Sequence, residues 1–255
     1  MKKIWLGSGW KMNKTLEETR SYIGILKGYL SQGKNDLNIF IVPPFTVLHE
    51  AGDLIKGSPI SLGAQNMHWE DNGSFTGEIS PIMLKDCGVT LVELGHSERR
   101  ANFGETDIFI NIKVQAAINH NLRPLICVGE RDFEKQYGAA KESVIRQIKI
   151  ALNGVPENKV EEILIAYEPV WAIGDNGTPA EPDYANWIQR RIKQEVSESY
   201  GEKTASSITV LYGGSVNLKN ALSFIQQPDI DGLFIGRASW DANNFIKIIE
   251  LINGG

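Results

Sequence analysis

Short apolar runs alternate with longer stretches of helical periodicity along the whole chain. The runs are almost continuously apolar instead of alternating between apolar and polar residues. That pattern is typical of strands that are covered on both faces of a parallel sheet. It predicts eight strands, at residues 4–6, 38–42, 60–63, 90–94, 125–128, 162–167, 208–211 and 232–235.

Helical patterns fill the segments between these strands. They predict helices at residues 15–30, 106–119, 133–152, 183–199 and 243–252, and shorter helices after the strands at 38, 60 and 208. Thr15 is the expected N-cap of the first helix, and Glu18 completes a capping box with it. In the segment 106–119, Ile108, Ile112 and Ala116 recur at helical spacing and share one face.

Eight strands in alternation with helices indicate an α/β protein, either a closed (β/α)8 barrel or an open doubly wound sheet. No Gly-x-Gly-x-x-Gly follows the first strand, so the main marker of dinucleotide binding is missing. No linker or low-complexity tract divides the chain, and about 250 residues is a typical barrel length. We therefore expect a single domain over residues 1–255.

Composition and net charge limit the classes of ligand that the protein is expected to bind. The chain of 255 residues is 42% hydrophobic and 22% charged, and its net charge of -5 argues against nucleic-acid binding. A small anionic ligand is compatible with this net charge, because a cavity can have a positive electrostatic potential on an acidic protein. No apolar stretch approaches the length of a membrane span. Cys87 and Cys127 lack metal-type spacing, which favours reduced thiols in a cytoplasmic protein.

Polar residues and glycines follow five of the predicted strands directly. Barrel enzymes place their active sites at the carboxyl ends of the strands, so these residues are candidates for catalysis and binding. The segments at these strand ends are residues 7–13, 93–100, 166–174, 212–217 and 235–239.

Two glycine segments are candidates for a phosphate site. Gly213-Gly214 and Gly236 follow the seventh and eighth strands, whose loops often hold phosphate in barrels. Glycine lets backbone N–H groups approach an anion closely. A tight turn would explain either segment alone, but two such segments in adjacent loops favour a phosphate site.

Three charged or ionisable residues are candidates for the chemistry. Lys11 is either a solvated surface charge or a cation beside a developing enolate. His96 precedes a helix start, where the helix dipole favours a neutral imidazole that donates to a substrate oxygen, although a structural role is the alternative. Glu168 is placed to remove a carbon-bound proton, or else to form a salt bridge with a neighbouring loop. Glu98 and Arg99 form a solvated pair or anchor Lys11.

A short polar segment follows the sixth strand. Ile173-Gly174 precedes it and Gly177-Thr178-Pro179 ends it. Such an arrangement is typical of a hinged lid that excludes water from a reactive intermediate.

The chain resembles the triosephosphate isomerase family over nearly its whole length. The most specific stretches are Trp10-Lys11-Met12-Asn13, Gly63-Ala64-Gln65-Asn66, Phe75-Thr76-Gly77-Glu78, Glu93-Leu94-Gly95-His96-Ser97-Glu98-Arg99-Arg100, Ala166-Tyr167-Glu168-Pro169-Val170-Trp171-Ala172-Ile173-Gly174 and Tyr212-Gly213-Gly214-Ser215-Val216. The resemblance implies a single (β/α)8 TIM barrel and an isomerase of small sugar phosphates.

The resemblance also implies roles for individual residues. Glu168 would be the base, His96 the neutral electrophile and Lys11 the electrostatic partner, supported by Glu98. The phosphate would be held by amides around Gly174, Ser215, Gly236 and Arg237, and Ile173 and Phe234 would press on the reacting carboxylate. No metal and no organic cofactor is implied. The implied partners are a phosphorylated sugar and a second copy of the chain.

The expected homodimer forms through the loop at residues 66–79. This loop is long for a βα connection and carries Met67, Trp69 and Phe75, which a monomer would leave exposed. The resemblance implies that the loop tip docks into the neighbouring subunit near Lys11 and His96.

Three departures from the family bear on the substrate. Gly9 stands where the family has Asn, which we expect to leave space in the cavity, Arg237 replaces the second glycine of loop 8, and the lid diverges over residues 175–179. These changes resemble a branch that converts L-erythrulose 1-phosphate to D-erythrulose 4-phosphate in erythritol breakdown.

The sequence therefore leaves the substrate open. One interpretation is the aldose–ketose isomerisation of dihydroxyacetone phosphate to glyceraldehyde 3-phosphate, as in glycolysis and gluconeogenesis, and the other is the four-carbon reaction. A non-catalytic binding protein and a lyase that uses Lys11 as a Schiff base remain as alternatives of other classes.

Overall fold

Eight parallel strands close into a barrel in the order in which they occur along the chain. The computed structural model describes residues 3–33, 36–174 and 177–254. The strands are β1 (Trp5–Gly9), β2 (Asn38–Val42), β3 (Ile60–Ala64), β4 (Leu91–Leu94), β5 (Arg123–Val128), β6 (Leu164–Tyr167), β7 (Thr209–Tyr212) and β8 (Gly232–Ile235). Pairing of β1 with β8 completes the closure and confirms the (β/α)8 barrel.

Helices connect the strands on the outside of the barrel. Those described are α1 (Leu16–Leu30), α2 (Phe45–Ile55), α3 (Pro81–Asp86), α4 (Ser97–Asn102), α5 (Asp107–Asn119), α6 (Asp132–Gln136), α7 (Ala140–Leu152), α8 (Glu157–Val160), α9 (Pro182–Tyr200), α10 (Glu202–Ser207), α11 (Ala221–Ile225) and α12 (Ala242–Gly254). The capping box of Thr15 and Glu18 at the start of α1 is confirmed. No helix in the described ranges has the length and apolar character that a membrane span requires.

Two layers of apolar side chains cover the strands on both faces. One layer packs between the strands and the helices. The other fills the barrel interior and consists of Phe40, Val42, Leu91, Leu125, Cys127, Leu164, Ala166, Leu211 and Phe234. Because both faces of each strand are buried, the strands are continuously apolar in sequence, as the pattern predicted.

The predicted helix at residues 133–152 is interrupted. α6 ends at Gln136 and α7 begins at Ala140. Gly138 lies between them with φ of 72°, in the left-handed region that ends a helix and that glycine adopts without strain. The apolar spacing continues across this break, and therefore did not reveal it.

The face of α5 that carries Ile108, Ile112 and Ala116 is largely exposed. Ile108 and Ile112 point outward, whereas Lys113 and Val114 are buried. Lys113 is accommodated because its ammonium group contacts the Glu105 carboxylate and donates to Asn66 at 2.8 Å. A buried lysine with such partners is compatible with the core side of a helix, so apolar spacing alone does not show which face of α5 is buried.

The loop between β3 and α3 is only partly exposed. Met67 is fully buried, in contrast to the expectation that a monomer would expose it. The His68 ring packs between Trp69, with centroids 4.2 Å apart, and Phe75, at 4.0 Å. Trp69 is half-buried and Phe75 remains exposed. The loop tip is therefore folded upon itself, and presents Phe75 outward.

Close packing at Gly7 predicts a specific destabilisation. A Cβ at this position in β1 would lie 2.0 Å from the ring of Phe40. We expect Gly7→Ala to destabilise the protein by about 1–3 kcal/mol, as overpacked core substitutions do. The midpoint of urea or thermal unfolding measures the effect.

Gly24 in α1 provides the matched control. It is exposed, and a Cβ there would meet nothing within 4 Å. Gly24→Ala should stabilise the helix by roughly 0.5–1 kcal/mol. Equal effects of the two substitutions would contradict the packing argument.

Candidate active site

A cavity of about 480 Å³ opens at the carboxyl ends of the strands. It brings together all of the site residues that the sequence indicated: Gly9, Lys11, His96, Glu98, Glu168, Ile173, Gly174, Gly213, Gly214, Ser215, Gly236 and Arg237. Barrel closure explains this convergence, because the loops after β1, β4, β6, β7 and β8 surround one mouth.

Glu168 follows β6 immediately and is fixed by close backbone packing. Its N–H donates to the carbonyl of Val128 at 2.7 Å. A Cβ at Gly129 would lie 1.9 Å from the Glu168 carbonyl oxygen, and one at Gly213 would lie 2.7 Å from its Oε1 atom. A side chain at residue 129 would clash with this backbone, and one at residue 213 would displace the carboxylate, so both glycines leave room for Glu168 in its observed position.

The Glu168 carboxylate is only 4% exposed. Its Oε2 atom has no hydrogen-bond partner among the described residues and lies 3.5 Å from Nε2 of His96. Burial raises the pKa of Glu168 well above its ordinary value, and the neighbouring Glu93 carboxyl adds to the shift. Such a desolvated carboxylate is a strong base.

His96 is the N-cap of α4, as the sequence indicated. Its Nδ1 atom accepts a hydrogen bond from the N–H of Glu98 at 3.2 Å. In the neutral ring the proton is then on Nε2, which faces Glu168 and the cavity. Burial, followed by the charge of Lys11, lowers the pKa of His96 to about 4. The ring can donate a hydrogen bond near neutral pH without carrying a charge.

Lys11 has an unusual backbone conformation, with φ of 52°. Its carbonyl oxygen accepts a hydrogen bond from the Gln65 side chain at 2.7 Å. Its ammonium group bonds to Glu98 at 2.6 Å, so Glu98 anchors Lys11 rather than pairing with Arg99. A Schiff-base lysine would need to be free of compensating charge. The pairing with Glu98 therefore disfavours the lyase interpretation.

Three amide groups line the cavity in the loops after β7 and β8, between the strands that carry Glu168 and Lys11. The N–H groups of Gly214, Ser215 and Gly236 make no hydrogen bond within the described part of the chain. The N–H of Gly213 donates to Tyr167 at 2.9 Å, which corrects the expectation that it is free for a ligand. The side chain of Arg237 is exposed at the rim.

The lid segment begins with a three-residue 3-10 helix, Val170–Ala172. Glu130 accepts hydrogen bonds from Trp171 Nε1 at 2.9 Å and from the hydroxyls of Tyr167 and Tyr184. Gly174 has φ of 88°, which suits a hinge. Asp175 and Asn176, in the part of the lid that diverges from the family, lie outside the described residues.

The sequence interpretation missed two carboxyl groups. Glu130 holds the lid, and Glu93 lines the catalytic cavity. The signal for Glu130 was a carboxylate two residues after the end of the buried strand β5. The signal for Glu93 was a charged residue inside the apolar strand β4.

The space at Gly9 is smaller than the sequence suggested. A Cβ at Gly9 would lie 2.9 Å from the ring of Phe234 on β8. The aromatic ring packs on the glycine backbone, so part of the expected vacancy is filled. Gly9 and the Phe234 ring therefore shape this part of the cavity wall together, because the ring occupies space that a side chain at residue 9 would need.

The barrel and its site define a class of enzyme. A desolvated carboxylate faces a neutral imidazole, a paired lysine lines the same cavity, and open amide groups lie in the loops after β7 and β8. This arrangement suits proton transfer on a small anionic substrate. The chain belongs to the triosephosphate isomerase family, whose model matches residues 4–252, and it is a sugar-phosphate isomerase.

Curated relatives narrow the comparison within this family. The chain is similar to an L-erythrulose-1-phosphate isomerase of Mesorhizobium japonicum, at 49% identity over 246 residues, which cover 96% of this chain and 95% of the relative. It is 47% identical to one of Brucella abortus (strain 2308) over 250 residues, covering 98% and 96% of the two chains. One of Rhizobium meliloti is 44% identical over 252 residues, with coverage of 98% and 96%.

The environment of His96 predicts its charge state. Because its pKa is lowered to about 4, the ring should stay neutral from about pH 5 to about pH 9. Nitrogen-15 NMR of histidine-labelled protein should show the tautomer with the proton on Nε2 throughout this range. The variant His96→Gln identifies the signal by its loss.

The pH profile of activity should agree with this assignment. The raised pKa of Glu168 means that its inactive, protonated form persists to higher pH than for an ordinary carboxyl group. The value of kcat/KM should therefore fall on acidification while His96 remains neutral. An imidazolium signal from His96 at pH values where the enzyme is active would contradict the argument.

Proposed function

We propose that this enzyme interconverts L-erythrulose 1-phosphate and D-erythrulose 4-phosphate. The observation that carries the proposed reaction is the placement of Glu168 Oε2 and His96 Nε2, 3.5 Å apart in one buried cavity. The four-carbon substrate is supported by the curated relatives, which match the chain over nearly their whole length and are named for L-erythrulose 1-phosphate.

The reaction moves a carbonyl group from one carbon to the next. In L-erythrulose 1-phosphate, C2 is the carbonyl carbon and C3 carries a hydrogen and a hydroxyl group. Glu168 takes the proton from C3, and the electron pair of that bond forms a C2–C3 double bond while the C2 oxygen becomes negative. The proton then returns from Glu168 to C2, and the hydroxyl proton moves from O3 to O2. The carbonyl is now at C3.

Two groups stabilise the intermediate enediolate. Lys11 and His96 both line the cavity, and the Lys11 ammonium and the Nε2–H of His96 stabilise the oxygen that becomes negative. A neutral imidazole suits this task, because its acidity lies close to that of the enediol, so a proton can pass between the two oxygens through it. The amides of Gly214, Ser215 and Gly236 hold the phosphate.

With the four-carbon substrate, the reaction interconverts two ketoses instead of a ketose and an aldose. Dihydroxyacetone phosphate yields an aldose, whereas the four-carbon substrate yields a second ketose, through the same enediolate. The same residues serve both reactions, so triose turnover is expected as a side activity. The presence of Lys11, His96 and Glu168 in one cavity disfavours a non-catalytic binding protein.

We further propose that the enzyme is a cytoplasmic homodimer that acts in erythritol catabolism. Large apolar side chains are exposed on segments around the first four strands: Met12, Phe45, Phe75, Ile82, Met83, Phe103, Ile108 and Phe109. These segments are neighbours around half of the barrel mouth, because successive strands are adjacent. An exposed apolar surface of this kind supports a second copy as its partner. The free thiols of Cys87 and Cys127 fit a reducing compartment.

Substrate preference tests the four-carbon proposal. The wild-type enzyme should show a kcat/KM for L-erythrulose 1-phosphate that equals or exceeds that for dihydroxyacetone phosphate. Initial rates with both substrates, measured with one enzyme preparation, give the ratio. A strong preference for the triose would show instead that this is a three-carbon isomerase.

Residue 9 provides a structural check on that ratio. Gly9→Asn alone would push the Phe234 ring and should lower activity on both substrates. With Phe234→Leu to make room, Gly9→Asn should shift the ratio towards the triose, because the added side chain narrows the cavity. Phe234→Leu alone is the matched control. An unchanged ratio in the double variant would mean that residue 9 does not set substrate size.

The proposed dimer can be tested at one exposed aromatic residue. Phe75 at the tip of the β3–α3 loop is 43% exposed, and Phe133 in α6 is 53% exposed after β5. Sedimentation at micromolar concentration should show a dimer for the wild type and for Phe133→Asp. Phe75→Asp should shift it towards the monomer, because a charge would be buried at the interface. A fully active wild-type monomer would overturn the proposal.

A further inference from the structure

Glu93 is a charged residue in an otherwise apolar strand. β4 consists of Leu91, Val92, Glu93 and Leu94, and Glu93 pairs in register with Leu125 of β5. Leu125 belongs to the apolar layer that fills the barrel interior, so Glu93 also faces inward. It is 7% exposed and lines the same cavity as Glu168 and His96.

This carboxyl group has no cation bonded to it in the described part of the chain. Its hydrogen-bond partner is the Cys127 thiol, a weak donor, with Sγ 3.8 Å from Oε1. The nearby ammonium group of Lys11 is bonded to Glu98 instead. Burial raises the pKa of Glu93 to about 8. Burial thus favours the uncharged acid, which has one O–H donor and one carbonyl acceptor.

The fold itself has little need of this group. An apolar side chain of similar volume would fill the interior without the cost of desolvating a carboxyl group. The proposed proton transfer also has its base in Glu168 and its electrophile in His96. A buried polar group with one weak partner, directed at a substrate cavity, indicates that the bound ligand supplies the missing partner.

The position of β4 determines which end of the substrate it meets. In a closed barrel of eight strands in chain order, β4 lies across from β8. The open amides of Gly214, Ser215 and Gly236 follow β7 and β8. A linear substrate whose phosphate is held there extends across the mouth towards β4. Glu93 therefore faces the end of the substrate that carries no phosphate.

We infer that Glu93 is a specificity-determining residue whose carboxyl group hydrogen-bonds the terminal hydroxymethyl group of the four-carbon substrate. The inference rests on the proposed function and names the part of the site that distinguishes the two substrates. L-Erythrulose 1-phosphate has one more hydroxymethyl carbon at this end than dihydroxyacetone phosphate has. The triose stops one carbon short, and leaves the Glu93 carboxyl without a new partner.

Two variants of Glu93 separate this role from a structural one. Glu93→Met keeps the side-chain length and removes both hydrogen-bonding atoms, whereas Glu93→Gln keeps one donor and one acceptor. Glu93→Met should lower kcat/KM for L-erythrulose 1-phosphate by about 10- to 100-fold, and for dihydroxyacetone phosphate by less than about threefold. Glu93→Gln should retain the four-carbon activity within about fivefold.

A modified substrate tests the same contact from the other side. 4-Deoxy-L-erythrulose 1-phosphate ends in a methyl group where the natural compound carries a hydroxymethyl group. The wild type should lose about 10- to 100-fold in kcat/KM on this analogue. Glu93→Met should lose little more, because the contact is already absent. This non-additivity is the signature of a direct interaction.

The outcomes are distinct. If the wild type does not turn over L-erythrulose 1-phosphate, the proposed function fails, and the inference fails with it. If the wild type is active but Glu93→Met loses equal factors on both substrates, or the losses from variant and analogue simply multiply, the inference alone is overturned. Thermal unfolding should show Glu93→Met at least as stable as the wild type. If that variant does not fold, Glu93→Gln and the deoxy analogue with the wild type still decide the question.

Discussion

The exclusion of water from the Glu168 carboxylate is the constraint that the rest of the site depends on. Glycines at residues 129 and 213 let backbone pack directly against this residue, which is only 4% exposed. A carboxylate in such surroundings would be neutralised by any close cation. The structure avoids this, since His96 is uncharged and the Lys11 ammonium is bonded to Glu98. The base stays strong because burial and the neighbouring Glu93 carboxyl raise the pKa of Glu168 by more than the charge of Lys11 lowers it.

Much of this architecture could be predicted from the sequence. Strands covered on both faces leave continuous apolar runs, so the fold was foreseen. The residues that follow these strands must meet at one end of a barrel, and the twelve predicted site residues do line one cavity there. What failed depended on tertiary partners. The buried face of α5 is set by the partners of Lys113, and the space at Gly9 is set by a ring on β8, a strand far away in the sequence. Neither contact produces a recognisable pattern in the sequence around the residue.

Glu93 illustrates a different limit of prediction from sequence. A carboxylate in an apolar strand is visible in the sequence, but nothing there says whether it points into the barrel or towards the helices. The pairing register with Leu125 decides this, and registers arise only when the sheet closes. The same closure places two buried carboxyl groups, Glu93 and Glu168, in one cavity, where both prefer to hold a proton. Which of them is ionised is thus a property of the pair and not of either residue.

The amides of Gly214, Ser215 and Gly236 have a consequence for the history of such enzymes. An anchor built from backbone depends on the path of the chain and hardly on the identity of its side chains. Point mutations elsewhere at the barrel mouth can then accumulate without loss of phosphate binding, which every phosphorylated sugar requires. New substrate specificities can arise by single substitutions on the β4 side, while the backbone amides that hold the phosphate stay the same. A barrel of this design can diverge into a group of related catalysts by changing only one of its two halves.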